Sequence, residues 1–234
     1  MRVALMAQLH YGYIQYDTGD FLTTSWQLLA HKHLVIHPKK SFLTPIFFSL
    51  FFFLPGRALV TIPLAQHLLG LSEIVLAGAL VRFWFAKWRW FIIPITLLVT
   101  ANPWNLWYEH TLMGEANYLF FLFVTALAGT FWAMRPGKGT FTLFLVSLFL
   151  LSGTRAEGMI FFGFGLLLVP AMLWGKWRAL LIYTGIILAT ALVALHLGGG
   201  SHAASLLYAS LADKTPDHPK SEPGIEPYII PLRD

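Results

Sequence analysis

The chain has 234 residues, of which 57% are hydrophobic and 12% charged, against about 25% charged in soluble domains, so a water-soluble fold of this size is excluded. The apolar residues run in long stretches with no period-two alternation, which excludes an outer-membrane barrel. The formal net charge of +5 comes from short basic clusters between apolar runs rather than a phosphate-binding stripe, which argues against a nucleic-acid partner, and the absence of cysteine removes disulfides and thiolate metal sites.

What remains is an all-α fold, a polytopic transmembrane helix bundle with amphipathic juxtamembrane helices in its first external loop. Residues 1–57 read as that loop, 58–197 as a membrane bundle of about six helices, and 198–234 as an external Pro-rich tail. In chain order, Tyr16-Asp17-Thr18-Gly19-Asp20 opens a polar segment, and Phe21 to Leu34 predicts a helix along the membrane surface. Phe42 to Leu54 is apolar but shorter than the roughly 20 residues a crossing needs, and predicts an interfacial or re-entrant helix. Leu59 to Phe85, about 27 residues or roughly 40 Å of helix, is long enough to span with tilt. Further spans are expected at Phe91–Trp107, Leu112–Met134, Phe141–Thr154, Met159–Trp174 and Ala179–Leu197.

The connections carry charge of one sign in alternation. Arg82, Lys87 and Arg89, then Arg135 and Lys138, then Lys176 and Arg178 lie in connections without an acid. The intervening ones hold Glu109, His110 and Glu115, then Arg155 and Glu157. Six crossings with the basic connections cytoplasmic satisfy this pattern and leave the Asp17/Asp20 segment and the Pro-rich tail outside. An outside N-terminus with no signal peptide or earlier span predicts a helix upstream of Met1 and a chain that stops in mid-loop at Asp234.

Ionisable groups at membrane depth are costly and need partners or a function. Asp20 reads as an N-cap in front of its helix, whereas Asp17 has no such local role and could act as a general base. Glu109, His110 and Glu115 read either as a solvated turn with one acid at a helix start or as an acidic cluster meeting Asp17 on the external face. No paired-His motif accompanies them, so no metal site is assigned. Arg155 reads equally as an ion-pair partner of Glu157 or another span's acid, and as a phosphate ligand. The Glu157 pairing needs a turn, since residues two apart on a helix do not face each other. Glu73 is expected to pair inside the bundle with Gln66 or His67.

These segments together resemble the GT-C superfamily of membrane glycosyltransferases, mannosyltransferase-like enzymes that use polyprenyl-phosphate sugars. Tyr16-Asp17-Thr18-Gly19-Asp20-Phe21 looks like the first external loop, Leu43-Thr44-Pro45-Ile46-Phe47 like its Thr-Pro entry into the membrane, and Gln66-His67-Leu68-Leu69-Gly70 like a stretch of the next helix. Asn102-Pro103-Trp104 through Glu115 looks like the second external loop, and Thr154-Arg155-Ala156-Glu157-Gly158 like an Arg-Pro-Glu-Gly turn. Gly114 and Ala156 depart from the expected Ser/Thr and Pro. The resemblance covers about residues 13–197. It implies sugar transfer at the external face of a bacterial inner or plasma membrane. Asp17 would be the base and Glu109 and Glu115 would complete the catalytic set. Asp20, His110, Arg155, Glu157 and Lys40 would bind substrate, with or without a divalent cation. The implied partners are the bilayer, the polyprenyl-phosphate sugar donor and an acceptor. A transporter or flippase, or a non-catalytic membrane subunit, is the alternative reading.

Overall fold

The computed structural model describes residues 2, 7, 12–14, 16–31, 42–53, 58–173 and 176–196, and within them every extended element is a helix. Helix α1 spans Tyr16–His31, α2 Leu43–Ser49, α3 Ala58–Trp84, α4 Ile92–Ala101, α5 Pro103–His110, α6 Glu115–Met134, α7 Lys138–Thr154, α8 Ile160–Leu173 and α9 Trp177–Ala194. Short 3-10 turns at Ala86–Phe91 and Ala156–Met159 lead into α4 and α8. Lys39, Lys40 and the Pro-rich segment 198–234 lie outside the described residues, as does the side chain of Asp17.

Three of these helices, α3, α6 and α9, are long and apolar enough to cross a membrane. The side chains they and their neighbours turn outward are apolar: Val75 is 72% exposed, Leu98 72% and Leu192 67%. Apolar surface on this scale is compatible with contact to a lipid bilayer and costly in water. The buried core lies where α6 to α9 meet, around Trp132, Phe144, Leu148, Val169 and Ile187.

One expected span is broken. The stretch Phe91–Trp107 divides into a 3-10 turn, the ten-residue α4 and the separate α5. The cause is Pro103, which pushes the preceding residue out of the helical region; Asn102 adopts φ −65°, ψ 113° and ends α4. Its side-chain oxygen then accepts the backbone N–H of Trp104 at 3.0 Å and caps α5, with proline at the first helical position, where its missing N–H costs nothing. The surface helix also starts earlier than expected. It begins at Tyr16, so Asp20 lies inside it and is not its N-cap. Phe21 of α1 packs edge-on to Phe48 of α2 with ring centroids 6.2 Å apart, and these two join Ile62 and Leu112 in a second small core.

Contacts fix the direction of the helices. Gln66 of α3 bonds Met113 just before α6, and Trp84 near the end of α3 bonds Thr130 near the end of α6. Sequence offsets of 47 and 46 make α3 and α6 parallel neighbours. Helix α7 runs back antiparallel, since Phe141 and Phe144 near its start pack on Trp132 near the end of α6. Tyr183 of α9 joins them, 5.9 Å from Trp132 and 4.3 Å from Phe141. Arg82, Arg135, Lys138 and Arg178 therefore collect at one end of the helices. Glu115, Arg155 and Glu157 collect at the other.

Candidate functional site

At the acidic end, two charge networks sit side by side. The first centres on Glu109, in the last turn of α5 and 1% exposed. Its carboxylate accepts two bonds from the Arg2 guanidinium, Nε–H to Oε2 at 2.7 Å and Nη2–H to Oε1 at 2.5 Å. His67 of α3 reaches the same carboxylate with Nδ1 at 2.7 Å, and its Nε2 lies 3.2 Å from Nδ1 of His110. An ionised carboxylate only accepts, so His67 donates from Nδ1. The two imidazole rings share one hydrogen bond across the Nε2···Nδ1 contact.

This arrangement needs a glycine at position 70. A Cβ on Gly70 would lie 2.0 Å from Glu109 Oε1 and 2.3 Å from its carboxyl carbon, so the bare helix face of α3 is what admits the carboxylate. About two turns earlier, Pro63 has no N–H to give the carbonyl four residues before it. That carbonyl, on Leu59, instead accepts the backbone N–H of Gly12 at 3.0 Å. The segment so anchored continues alongside α5: Tyr13 N–H donates to His110 C=O at 2.9 Å and Leu112 N–H to Tyr13 C=O at 3.1 Å. The Tyr13 ring stacks on Trp107 at 4.8 Å and meets the His110 ring edge-on at 5.3 Å.

The second network centres on Arg155, between α7 and the Ala156–Met159 turn. Its guanidinium donates to Glu157 in bidentate fashion, Nε–H to Oε2 and Nη2–H to Oε1, both at 3.1 Å. Nη1–H donates to Glu115, the first residue of α6. The pairing of Arg155 with Glu157, two residues apart, is possible because the 3-10 turn carries Glu157 back. Partial burial works against the Arg155 charge, but the Glu157 and Glu115 carboxylates more than offset it, so its pKa stands above the ordinary arginine value. Three of five guanidinium donors are used, which leaves one N–H on each Nη with the side chain 35% exposed.

Glu109, His110 and Glu115 thus do not form one cluster. Glu109 and His110 are buried with Arg2 and His67, which rules out a solvated turn, while Glu115 opens α6 and belongs to Arg155. The four residues Thr111–Gly114 join the two networks, and Gly114 is explained by its neighbour: a Cβ there would meet the Thr44 hydroxyl at 2.7 Å. Asp17 is the second residue of α1, four positions after the paired Tyr13, and Asp20 lies on an exposed part of the same helix. Glu73 does not pair with Gln66 or His67. Those bond Met113 and Glu109, and both Glu73 oxygens are buried with no hydrogen-bond partner among the described residues. Sequence reading passed over Arg2 entirely and gave His67 only a passing role. The signal for His67 was an ionisable side chain within a predicted span, eight residues after its start.

Among the described residues no group of three His, Asp or Glu side chains is disposed to hold a metal ion. No protein-family model, curated protein or solved structure matches the chain.

Proposed function

We propose that the chain is a multi-pass integral membrane protein whose acidic end faces outward, and that it transfers a sugar from a polyprenyl-phosphate donor to an acceptor with inversion. The observation that carries the reading is the gathering of both charge networks at the end of the helices opposite Arg82, Arg135, Lys138 and Arg178. A lipid-linked donor keeps its chain in the bilayer and presents phosphate and sugar at one face, which is where these groups stand. In the reaction the acceptor hydroxyl oxygen attacks the anomeric carbon. The bond from that carbon to the phosphate oxygen breaks, and the phosphate leaves with the electron pair. A base takes the hydroxyl proton.

Asp17 is our candidate for the base, because the pairing of Tyr13 with Thr111 draws its helix toward Glu109 and His110. Glu109 is ill suited, since Arg2 and His67 already occupy both of its oxygens. Arg155 is the candidate for the leaving phosphate: two of its N–H groups remain, and Glu157, 53% exposed, is the carboxylate a phosphate would displace. The test uses membranes carrying the protein and radiolabelled polyprenyl-phosphate sugars. Asp17→Asn should lower transfer by about 10²-fold or more, the scale of a lost general base. Equal transfer by both proteins removes Asp17 from the mechanism, and no transfer from any donor refutes the reading.

A transport reading draws support from a different observation. Glu73, Asn117 and Thr125 hold buried polar atoms without hydrogen-bond partners among the described residues, as a pathway between helices would require. Flux of a lipid-linked or anionic substrate in proteoliposomes, abolished by Glu73→Gln, would favour it over transfer.

A further inference from the structure

The catalytic proposal leaves His67 without a role, although it is 3% exposed on the helix face that receives Glu109. We propose that His67 is a positioning residue for Asp17, acting through Glu109 and His110 on the backbone of residues 12–14. The inference rests on the transfer reaction proposed above.

The bonded chain runs from His67 to Tyr13. His67 holds Glu109 through one ring nitrogen and His110 through the other, so consecutive residues of α5 are tied to one side chain of α3. His110 in turn holds Tyr13 by its backbone carbonyl and by its ring. Tyr13 is locked on its other side by Leu112, and Gly12 by the Leu59 carbonyl that Pro63 leaves free. Asp17 follows four residues on, at the second position of α1. A shift of α5 against α3 therefore passes to the bonded residues 12 and 13, the anchored segment that precedes α1.

The chemistry of the ring makes this role specific to histidine. Reaching a carboxylate with Nδ1 and a second imidazole with Nε2 requires one ring with nitrogens on two edges. An asparagine at position 67 can offer an N–H near the Nδ1 position and keep the Glu109 bond, but it cannot span to His110. Alanine loses both. The two substitutions therefore separate the halves of the link.

Two measurements on the full chain in lipid nanodiscs test the proposal. The first is hydrogen exchange of the Gly12, Tyr13 and Leu112 amides, which does not depend on activity. His67→Ala should raise their exchange by at least about tenfold and His67→Asn by an intermediate factor, consistent with loss of bonds that hold a local unit closed. Unchanged exchange in His67→Ala overturns the inference. The second is transfer kinetics. His67→Ala should lower kcat by about 10²-fold, the scale of a displaced catalytic group, with KM for the donor within about threefold, and His67→Asn should recover part of kcat. A raised KM with unchanged kcat would make His67 a donor-binding residue and overturn the proposal. If wild type transfers nothing while exchange responds as expected, the glycosyltransferase reading has failed, but the coupling of His67 to residues 12–14 stands.

Discussion

Replacing Gly70 by alanine puts a methyl group where the Glu109 carboxylate lies, 2.0 Å from Oε1 and 2.9 Å from Oε2. A carboxylate is the free end of a flexible side chain and in an open site would swing aside. Here it is held by two bonds from Arg2 and one from His67, so moving it strips a buried guanidinium of its counter-charge. Breaking a buried ion pair from one side costs about 3–5 kcal/mol. Alanine returns about 1 kcal/mol over glycine through helix propensity, so the net loss should be about 2–4 kcal/mol. The assay is reversible unfolding in mixed micelles followed by tryptophan fluorescence. It should be run as a double-mutant cycle with Glu109→Ala, whose coupling must be large because both changes remove the same contact. A Gly70→Ala loss below about 0.5 kcal/mol, or a cycle additive within that margin, would refute the packing of Glu109 against α3.

Three further outcomes follow from other parts of the molecule. Arg155 has its pKa raised in the folded protein, so its stabilising effect is complete at every pH below the unfolded arginine value and is lost only above it. In Arg155→Lys the corresponding loss falls at lower pH, and the gap in unfolding midpoint between the two proteins should be flat from about pH 7 to 9 and widen from about pH 10 to 12; a gap that stays constant contradicts the pairing. Glu73→Leu removes a buried carboxyl with no partner among the described residues and should stabilise by about 1–3 kcal/mol, whereas a loss of similar size would reveal a ligand for that carboxyl. In this cysteine-free chain, single cysteines at Gly139 and Met134 should react with an impermeant maleimide only from the cytoplasmic side and one at Trp104 only from outside; labelling of all three from one side sinks the orientation.

Much of the helical layout was legible because it rests on local rules. Leu59–Phe85 was read within one residue of α3, since a long apolar run whose one proline, Pro63, falls near its start leaves few choices of end before the basic flank beyond Phe85. The break at Asn102-Pro103 was visible as a dipeptide but was absorbed into a span, because length and hydropathy favoured one helix and the Asn102 cap works only once the helix is already interrupted. Arg155 with Glu157 was readable as a turn-dependent pair, and the 3-10 turn supplies it. The first network was not readable. Arg2 and Glu109 are 107 positions apart, and nothing in the residues between them encodes their contact. Gln66-His67-Leu68-Leu69-Gly70 stood out as a stretch, yet the reason for its glycine is a carboxylate from another helix. Side-chain choices that depend on a partner far along the chain leave no periodic trace.

The distance between Arg2 and Glu109 also has a meaning in time. At about 5–20 residues per second, on the order of ten seconds pass between synthesis of the arginine and synthesis of its carboxylate partner. Throughout that interval Arg2 has no Glu109 to pair with, and Tyr13 has no His110 carbonyl to bond. The seam between the segment of residues 2–14 and α5 therefore cannot close until α5 has been made. A ribosome that stalls before residue 109 leaves Arg2 and Tyr13 made but without the partners that hold them.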